Sequence, residues 1–410
     1  MGISNTDNTL ITTAFQDLFS TLSTWEPNGN LLLDISVHSP SDSEHWFKYL
    51  TFGPDIPSDE CDLGLCTEQS MLAKLDDHQH GWIAGSQIST PSTAGIHKVF
   101  DEIMGEGPFD DDKQENQWWQ QLPLVPVVTG VLLRQQTRRR WKPGALAQMF
   151  ARLPRLQEIH YEPWREWYDT QQRWTDQAFR PLFESLASSK LRRLILFENF
   201  NPQYALAFKG NADGCNPIRI PTSDVSWAVA KASLKLEHLS ASFIVDASYF
   251  FHACKPSWKW PSLTSLALTS QLLTPDESPI KIDNMLQAAA AVAMKMPNLK
   301  SMEIWNGREG LAMLFRYQLT GEGQPAVITW RGTWEFTLRP PVVQAWEAVA
   351  LEHCGHRSII IVKELLDAGV VVKSHGDAIH HLKLLNPVIR PLSLQQIQME
   401  HRIRAGVHNW

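Results

Sequence analysis

The sequence has no long apolar run, few cysteines and no excess of basic charge, and each absence excludes a class of protein. No run reaches the roughly 18 apolar residues that a membrane-spanning helix needs, so we expect no contact with a membrane. The formal net charge of −7 gives no general attraction to nucleic acid. The five cysteines are odd in number and mostly scattered, which is typical of a reducing compartment. We therefore expect a cytoplasmic or nuclear protein.

Catalytic and cofactor motifs are also missing. The chain has no P-loop, no dinucleotide-binding glycine fingerprint and no nucleophile-elbow serine. Cys61 and Cys66 lack a second ligand pair, and the histidines between His353 and His381 lack the paired short spacing of zinc ligands. We therefore predict no catalytic residue, no metal site, no cofactor and no enzymatic activity.

The chain does contain a short pattern that recurs through its middle: apolar, two residues, apolar, one residue, apolar. Segments with helical periodicity fill the gaps between the copies. Such alternation predicts an α/β fold, a leucine-rich-repeat-like solenoid with a curved parallel sheet and outer helices. The copies are Leu156-Ile159-Tyr161, Leu191-Leu194-Leu196, Leu236-Leu239-Ala241, Leu263-Leu266-Leu268 and Leu299-Met302-Ile304, with a further copy at Val128-Val131-Leu133.

Changes in the pattern divide the chain into four segments. Residues 1–58 hold an N-terminal helix and a first repeat-like strand, residues 59–121 an irregular insertion, and residues 122–310 the solenoid. Residues 311–410 form a C-terminal β-hairpin and a helical cap, as terminal repeats must hide an apolar edge. In this cap we predict helices at 342–353, 357–368, 375–384 and 392–405.

Strand alternation assigns a face of the sheet to each residue. Pattern residues point toward the helices, and residues between and after them point to the open face. That face includes Phe197 and Trp305, which a purely solvated surface would not need. We predict a partner-binding surface there, and the alternative is an ordinary face covered by a loop. The predicted binding residues are Glu158, His160, Arg193, Phe197, His238, Glu303 and Trp305.

One basic cluster stands out, the run Arg138-Arg139-Arg140 with Arg134 and Lys142 nearby. Three interpretations are open for it. It could meet phosphate or an acidic partner, it could pair with the chain's own acidic residues at 110–112, or it could be a solvated loop, which is the favoured interpretation.

Several stretches resemble a largely uncharacterised fungal family of F-box-associated, leucine-rich-repeat-like proteins. The resemblance implies a region that recognises a substrate for a ubiquitin ligase. It also implies an F-box that docks on the Skp-type adaptor of a cullin–RING complex. No stretch of this chain resembles an F-box, so we expect that adaptor as a partner only if an F-box is present elsewhere in the protein. The resembling stretches are residues 17–27, 36–50, 149–167, 260–275 and 372–404.

Two functional hypotheses follow. The leading one is a protein–protein interaction scaffold that resembles the substrate-recognition region of an F-box protein, with a protein partner of unknown identity. The alternative is an enzyme or small-ligand-binding protein with a pocket between the solenoid and the 59–121 insertion, where tryptophans could stack on a ligand. A pocket with converging polar groups and shifted acids would favour the alternative.

Overall fold

The computed structural model describes residues 3–55, 76–105, 107–207, 218–321, 324–355 and 358–404. They form a mixed α/β protein with helices and mostly parallel strands. The chain divides into two compact units. Unit 1 comprises Met1–Ala178, Glu198–Arg219 and Ile389–Trp410, and unit 2 comprises Phe179–Phe197 and Ile220–Val388.

Twelve helices lie in the described ranges, and most of them fill the gaps between strands, as the periodicity predicted. They are α1 (Asn5–Ser23), α2 (Thr93–Val99), α3 (Asp112–Gln121), α4 (Pro143–Ala151), α5 (Asp169–Leu186), α6 (Pro202–Ala207), α7 (Ser223–Ala232), α8 (Ala247–Ala253), α9 (Pro279–Ala293), α10 (Pro340–Cys354), α11 (His375–Leu382) and α12 (Pro391–Arg404).

The strands include all the repeat-pattern segments in the middle of the chain. They are β1 (Leu31–Ile35), β2 (Trp82–Ile83), β3 (Ser86–Gln87), β4 (Glu102–Ile103), β5 (Val128–Leu133), β6 (Arg140–Trp141), β7 (Glu158–Tyr161), β8 (Arg193–Phe197), β9 (His238–Asp246), β10 (Ser265–Thr269), β11 (Ser301–Arg308), β12 (Leu311–Gln318), β13 (Ala326–Gly332) and β14 (Ile359–Leu365).

In unit 1, strands β1, β5 and β7 are parallel, and Val131 is the partner of both Leu33 and Ile159. Helix α1 begins at a capping box in which Ser4 and Asp7 bond each other's backbone amides. Its apolar face is buried, and the ring of Phe15 packs edge-on against Trp119 and Trp141. A smaller ribbon pairs β4 with β6 in parallel, so that Glu102 lies opposite Arg140.

In unit 2, strands β8, β9, β10 and β11 are parallel and in register. Leu194 pairs with Leu239, Leu239 with Leu266, and Leu266 with Met302, and all four are buried. The equivalent pattern residues therefore form one continuous apolar layer, which confirms the predicted strands. The predicted hairpin is also present, with β12 antiparallel to β11 and β13 antiparallel to β12.

The predicted helix at 357–368 is wrong, because residues Ile359–Leu365 form the strand β14. Three consecutive isoleucines and a valine have branched Cβ atoms that crowd a helix and favour an extended backbone. β14 pairs in parallel with β13 and ends the strand order of the sheet in unit 2.

No helix in the described part of the chain is long and apolar enough to cross a membrane.

Candidate functional site

The sheet face predicted to bind a partner is covered in unit 2 by helix α11. Phe197 and Trp305 are both fully buried. Phe243 lies between them, with ring centroids 5.6 Å from Phe197 and 5.2 Å from Trp305. His375 of α11 completes this cluster, 5.4 Å from the ring of Phe243. The two large apolar side chains therefore belong to a core rather than to an exposed surface.

A glycine lets α11 approach this closely. Gly307 lies on β11, and a Cβ atom there would stand 2.5 Å from the Cβ of Ala378 on α11. Any side chain at this position would push the helix off the sheet. The close packing therefore depends on residue 307 having no side chain.

Glu303 anchors the chain that follows α11. Its carboxylate is fully buried and accepts hydrogen bonds from Arg316 Nε at 2.8 Å and from the backbone N–H of Leu385 at 3.0 Å. The backbone N–H of Asn386 also donates to it, at 3.3 Å. The expectation of an open face is therefore wrong for Phe197, Glu303 and Trp305. Alternation identified the correct side of the strands but carried no signal for the segment that covers it.

The remaining predicted binding residues are more dispersed. In unit 2, Arg193 and His238 are half-buried, and His238 Nδ1 lies 2.7 Å from the hydroxyl of Ser265. In unit 1, His160 is buried, with its Nε2 2.6 Å from the carboxylate of half-buried Glu158. Only Phe197, Glu303 and Trp305 are shown to lie beneath the covering segment.

The basic run of unit 1 is not a solvated loop, so that interpretation is wrong. Each of its members pairs with a carboxylate of the same unit. The pairing with the acidic residues at 110–112 is confirmed for one side chain, Lys142. The pairs are Arg134 with Asp34 and Asp55, Arg138 with Glu400, Arg139 with Asp42, Arg140 with Glu166, and Lys142 with Asp112 and Glu115.

Arg138 is the most deeply buried member, with 1% of its surface exposed. Its Nη2 donates to Glu400 at 2.6 Å, and its guanidinium lies 4.2 Å from the ring centroid of Trp164. Asn201 Nδ2 donates to the other oxygen of Glu400, also at 2.6 Å. A guanidinium taken out of water is tolerated only when paired and hydrogen-bonded in this way. Arg138 and Glu400 therefore form a buried ion pair that joins two segments of unit 1 that are far apart in sequence.

Unit 1 also contains a cleft of about 460 Å³, a size typical of small-molecule sites. Glu102 on β4 and Arg140 on β6 line it side by side, and Trp174 on α5 forms another wall. The lining thus combines residues from the 59–121 segment with residues that follow it. Glu102 could not be predicted as a site residue, because β4 has only two residues and matches no motif.

Glu102 has a perturbed acidity. Burial raises its pKa to about 7, and the neighbouring Arg140 opposes that shift without cancelling it. Glu166 and Asp101 add to the rise, while Lys142 counters it. No residue in the described ranges donates a hydrogen bond to the Glu102 carboxyl, so nearby charge alone offsets the cost of burying its ionised form.

Replacing Glu102 by glutamine is expected to flatten the pH dependence of stability. The folded protein raises the pKa of this carboxyl from 4.5 to about 7, so it holds the proton more tightly than the unfolded chain does. The resulting stabilisation is fully present below the unfolded pKa and is lost as pH rises through the folded one. Between about pH 5 and about pH 8, the unfolding free energy of the wild type should fall by about 1–3 kcal/mol more than that of Glu102→Gln.

Urea unfolding at both pH values measures this difference. The control is Glu26→Gln, which changes an exposed glutamate of the same unit. Identical pH profiles for the wild type and Glu102→Gln would contradict the raised pKa.

One cluster in unit 1 has the donor types of a metal site. Donor atoms of His45, Asp77 and His80 lie within 4.8 Å of one another. However, Lys48 Nζ donates to Asp77 at 2.7 Å, and this hydrogen bond is the main cause that lowers the pKa of Asp77 to about 2. The ammonium therefore already neutralises the carboxylate that a metal would need. The Cys61 and Cys66 pair lies outside the described residues.

The edge strand of unit 2 exposes apolar side chains beside Lys363 and Glu364. In β14, Ile360 is 48% exposed, Ile361 39% and Leu365 55%. Natural proteins usually protect such an edge with charge, proline or a covering segment, because its unpaired backbone groups can bind another strand.

A family of unknown function, DUF6546, matches residues 185–390, which is half of the chain. The chain belongs to this family. The DUF6546 region spans β8 to β14, and so contains both the sheet covered by α11 and the exposed edge. The residues that line the cleft lie outside it. No curated protein and no solved structure matches the chain.

Proposed function

We propose that this protein is a protein–protein interaction scaffold that binds an extended segment of a partner protein along β14. The observation that carries the proposal is the exposed apolar edge formed by Ile360, Ile361 and Leu365. The leucine-rich-repeat-like solenoid pattern is typical of proteins that present surfaces to partners, and it supports this function. The resemblance to the recognition region of F-box-associated proteins supports it further.

The backbone of β14 is suited to strand addition. The N–H of Leu366 donates to the carbonyl of Gly332 on the β13 side, at 2.8 Å. Backbone groups of successive residues in a strand point to opposite sides. Consequently, Ile361, Lys363 and Leu365 direct their N–H and C=O groups away from β13, toward the open side. These groups can accept an extended chain as their partner.

The side chains define the chemistry of that partner. Ile360 and Ile361 project on opposite faces of the sheet, so the bound segment should carry apolar residues on both of its faces. The charged residues of β14 already have partners. Lys363 Nζ donates to Thr337 at 3.2 Å, and Arg331 Nη1 donates to Glu364. We therefore expect an uncharged, apolar strand rather than an acidic or basic peptide.

Ile361→Pro is expected to weaken partner binding by about tenfold or more, since a lost backbone hydrogen bond and a steric clash together exceed 1.4 kcal/mol. Proline removes an N–H that β13 does not use, so the fold should persist. The control Ile280→Lys changes another isoleucine of unit 2, which is 57% exposed on α9. Partners recovered from a native extract are identified, and their binding segments are then titrated against each variant.

Hydrogen exchange tests the mode of binding directly. In the complex, the amides of Ile361, Lys363 and Leu365 should become protected from exchange, because their hydrogen bonds to water are replaced by hydrogen bonds to the backbone of the bound strand. Equal binding by the wild type and Ile361→Pro would overturn the proposal, as would unprotected amides at these three positions. Self-association through β14 would identify a second copy as the occupant instead. Recovery of a Skp-type adaptor with a cullin would support a role in a ubiquitin ligase.

A further inference from the structure

We infer that the cleft of unit 1 binds a small primary amine, with its ammonium on Glu102 and its apolar or aromatic body against Trp174. This binding activity is separate from the proposed strand addition, because all lining residues of the cleft belong to unit 1. It rests on three observations. They are the charge balance of the cleft, the absence of a hydrogen-bond donor to the Glu102 carboxyl among the described residues, and the exposure of the Trp174 indole.

The basic groups of the cleft are already paired with acids of unit 1, of which Glu166 lines the cleft. Arg140 Nη2 lies 2.8 Å from Glu166, and Lys142 Nζ lies 2.7 Å from both Asp112 and Glu115. Arg140 Nε and Nη1 have no hydrogen-bond partner in the described ranges, but the lining holds three acids and only two bases. This excess of acids disfavours a phosphate or a carboxylate as the ligand.

Asp101 and Glu102, two lining acids of the cleft, differ in their hydrogen bonding. Asp101 accepts hydrogen bonds from the backbone N–H groups of Ile3 and Glu102. The Glu102 carboxyl has no hydrogen-bond donor in the described part of the chain, although Arg140 is its register partner on β6. Burying an ionised carboxylate without a donor is costly. A ligand ammonium would supply a charge-assisted hydrogen bond at this position.

Trp174 supplies the apolar part of the site. Its side chain is 64% exposed on the cleft wall, whereas five other tryptophans of the chain are almost completely buried. An indole face attracts both an apolar group and a nearby cation, and the attraction to a cation increases when the site is partly shielded from water. An exposed Trp in the same cleft as a carboxyl without a hydrogen-bond donor therefore matches an amine carried on an apolar body.

Phenethylamine and 2-phenylethanol are matched probes, because both carry a phenylethyl group. The first ends in an ammonium group and the second in an uncharged hydroxyl group. Titration calorimetry and ligand-observed NMR at millimolar concentration should show binding of the amine at least about tenfold tighter than that of the alcohol. Trp174→Ala should abolish amine binding. The control Trp25→Ala, which removes a tryptophan that is 50% exposed elsewhere in unit 1, should not change it.

A proton-release measurement tests the role of Glu102. At pH 7 the carboxyl is about half protonated, so binding of an ammonium should release about half a proton per amine. Calorimetry in buffers of different ionisation enthalpy measures this number. Glu102→Gln should reduce it to zero and weaken binding. The other groups that face Glu102 are Asp101, Arg140, Lys142, Tyr161 and Glu166.

Two results would overturn the inference. One is equal binding, or no binding, of phenethylamine and 2-phenylethanol to the wild type. The other is amine binding that Trp174→Ala and Trp25→Ala weaken equally. Neither result affects the proposed role of β14, because no residue of unit 2 takes part in this test.

Discussion

Arg138→Met is expected to lower the free energy of unfolding by about 3–5 kcal/mol. The substitution leaves the carboxylate of Glu400 buried, with 1% of its surface exposed, and without the guanidinium that neutralises it, while Asn201 still donates a hydrogen bond to it. It also removes the cation that lies over the ring of Trp164. Because the partner charge remains in a water-poor site, the loss should far exceed that of a surface ion pair. Urea unfolding followed by circular dichroism measures it.

Two further variants separate charge from packing. Arg173→Met removes an exposed arginine of the same unit that donates a hydrogen bond to Thr170, and it should cost about 0–1 kcal/mol. The double variant Arg138→Met with Glu400→Gln should recover much of the loss, because the buried charge is gone and Asn201 can still donate to the new amide. A double variant no more stable than Arg138→Met would show that packing, rather than charge, causes the effect.

Trp305→Ala is expected to destabilise the protein by about 3–5 kcal/mol. The indole is fully buried beneath α11 and packs against the ring of Phe243. Removing it leaves a cavity between the sheet and the helix that the surrounding backbone cannot fill completely. Thermal unfolding should show a lower midpoint, and proteolysis should cut first within the segment that covers the sheet.

The control for this substitution is Tyr249→Ala, because Tyr249 is a large aromatic residue of unit 2 that is 42% exposed. It should change stability by less than about 1 kcal/mol. A small effect of Trp305→Ala would mean that α11 is not firmly packed on the sheet. A loss of partner binding in any variant at Phe197 or Trp305 should therefore be interpreted as a loss of folding, not as a mapped contact.

The strands of unit 2 could be predicted because the pattern is local. The apolar character of a residue at a fixed position in each copy, such as Leu239 or Leu266, is enough to predict that this position is buried. Helix α11 was also predicted as a helix. Its position over the sheet was not predicted, because that depends on contacts such as Gly307 with Ala378 that no short window of sequence contains.

The basic run shows more strongly that contacts between residues far apart in sequence cannot be predicted from a short window. Arg139 pairs with Asp42 across 97 residues, and Arg138 with Glu400 across 262. A run of arginines looks like a solvated or phosphate-binding surface when its partners are far away in sequence. The cleft was missed for a related reason, because Glu102 and Arg140 meet only when two short strands pair.

The pairing of Arg138 with Glu400 has a consequence for synthesis on the ribosome. Unit 1 includes Ile389–Trp410, and there Ser393 donates to Glu162 at 2.5 Å while the backbone N–H of Arg390 donates to the same carboxylate at 2.7 Å. The N-terminal part of unit 1 therefore cannot complete its packing until residue 400 has been translated, because Arg138 and Glu162 lack these partners before then. Unit 2 has all its residues by Val388 and can complete first. A released chain truncated after Val388 should hold a folded unit 2 and a protease-sensitive unit 1.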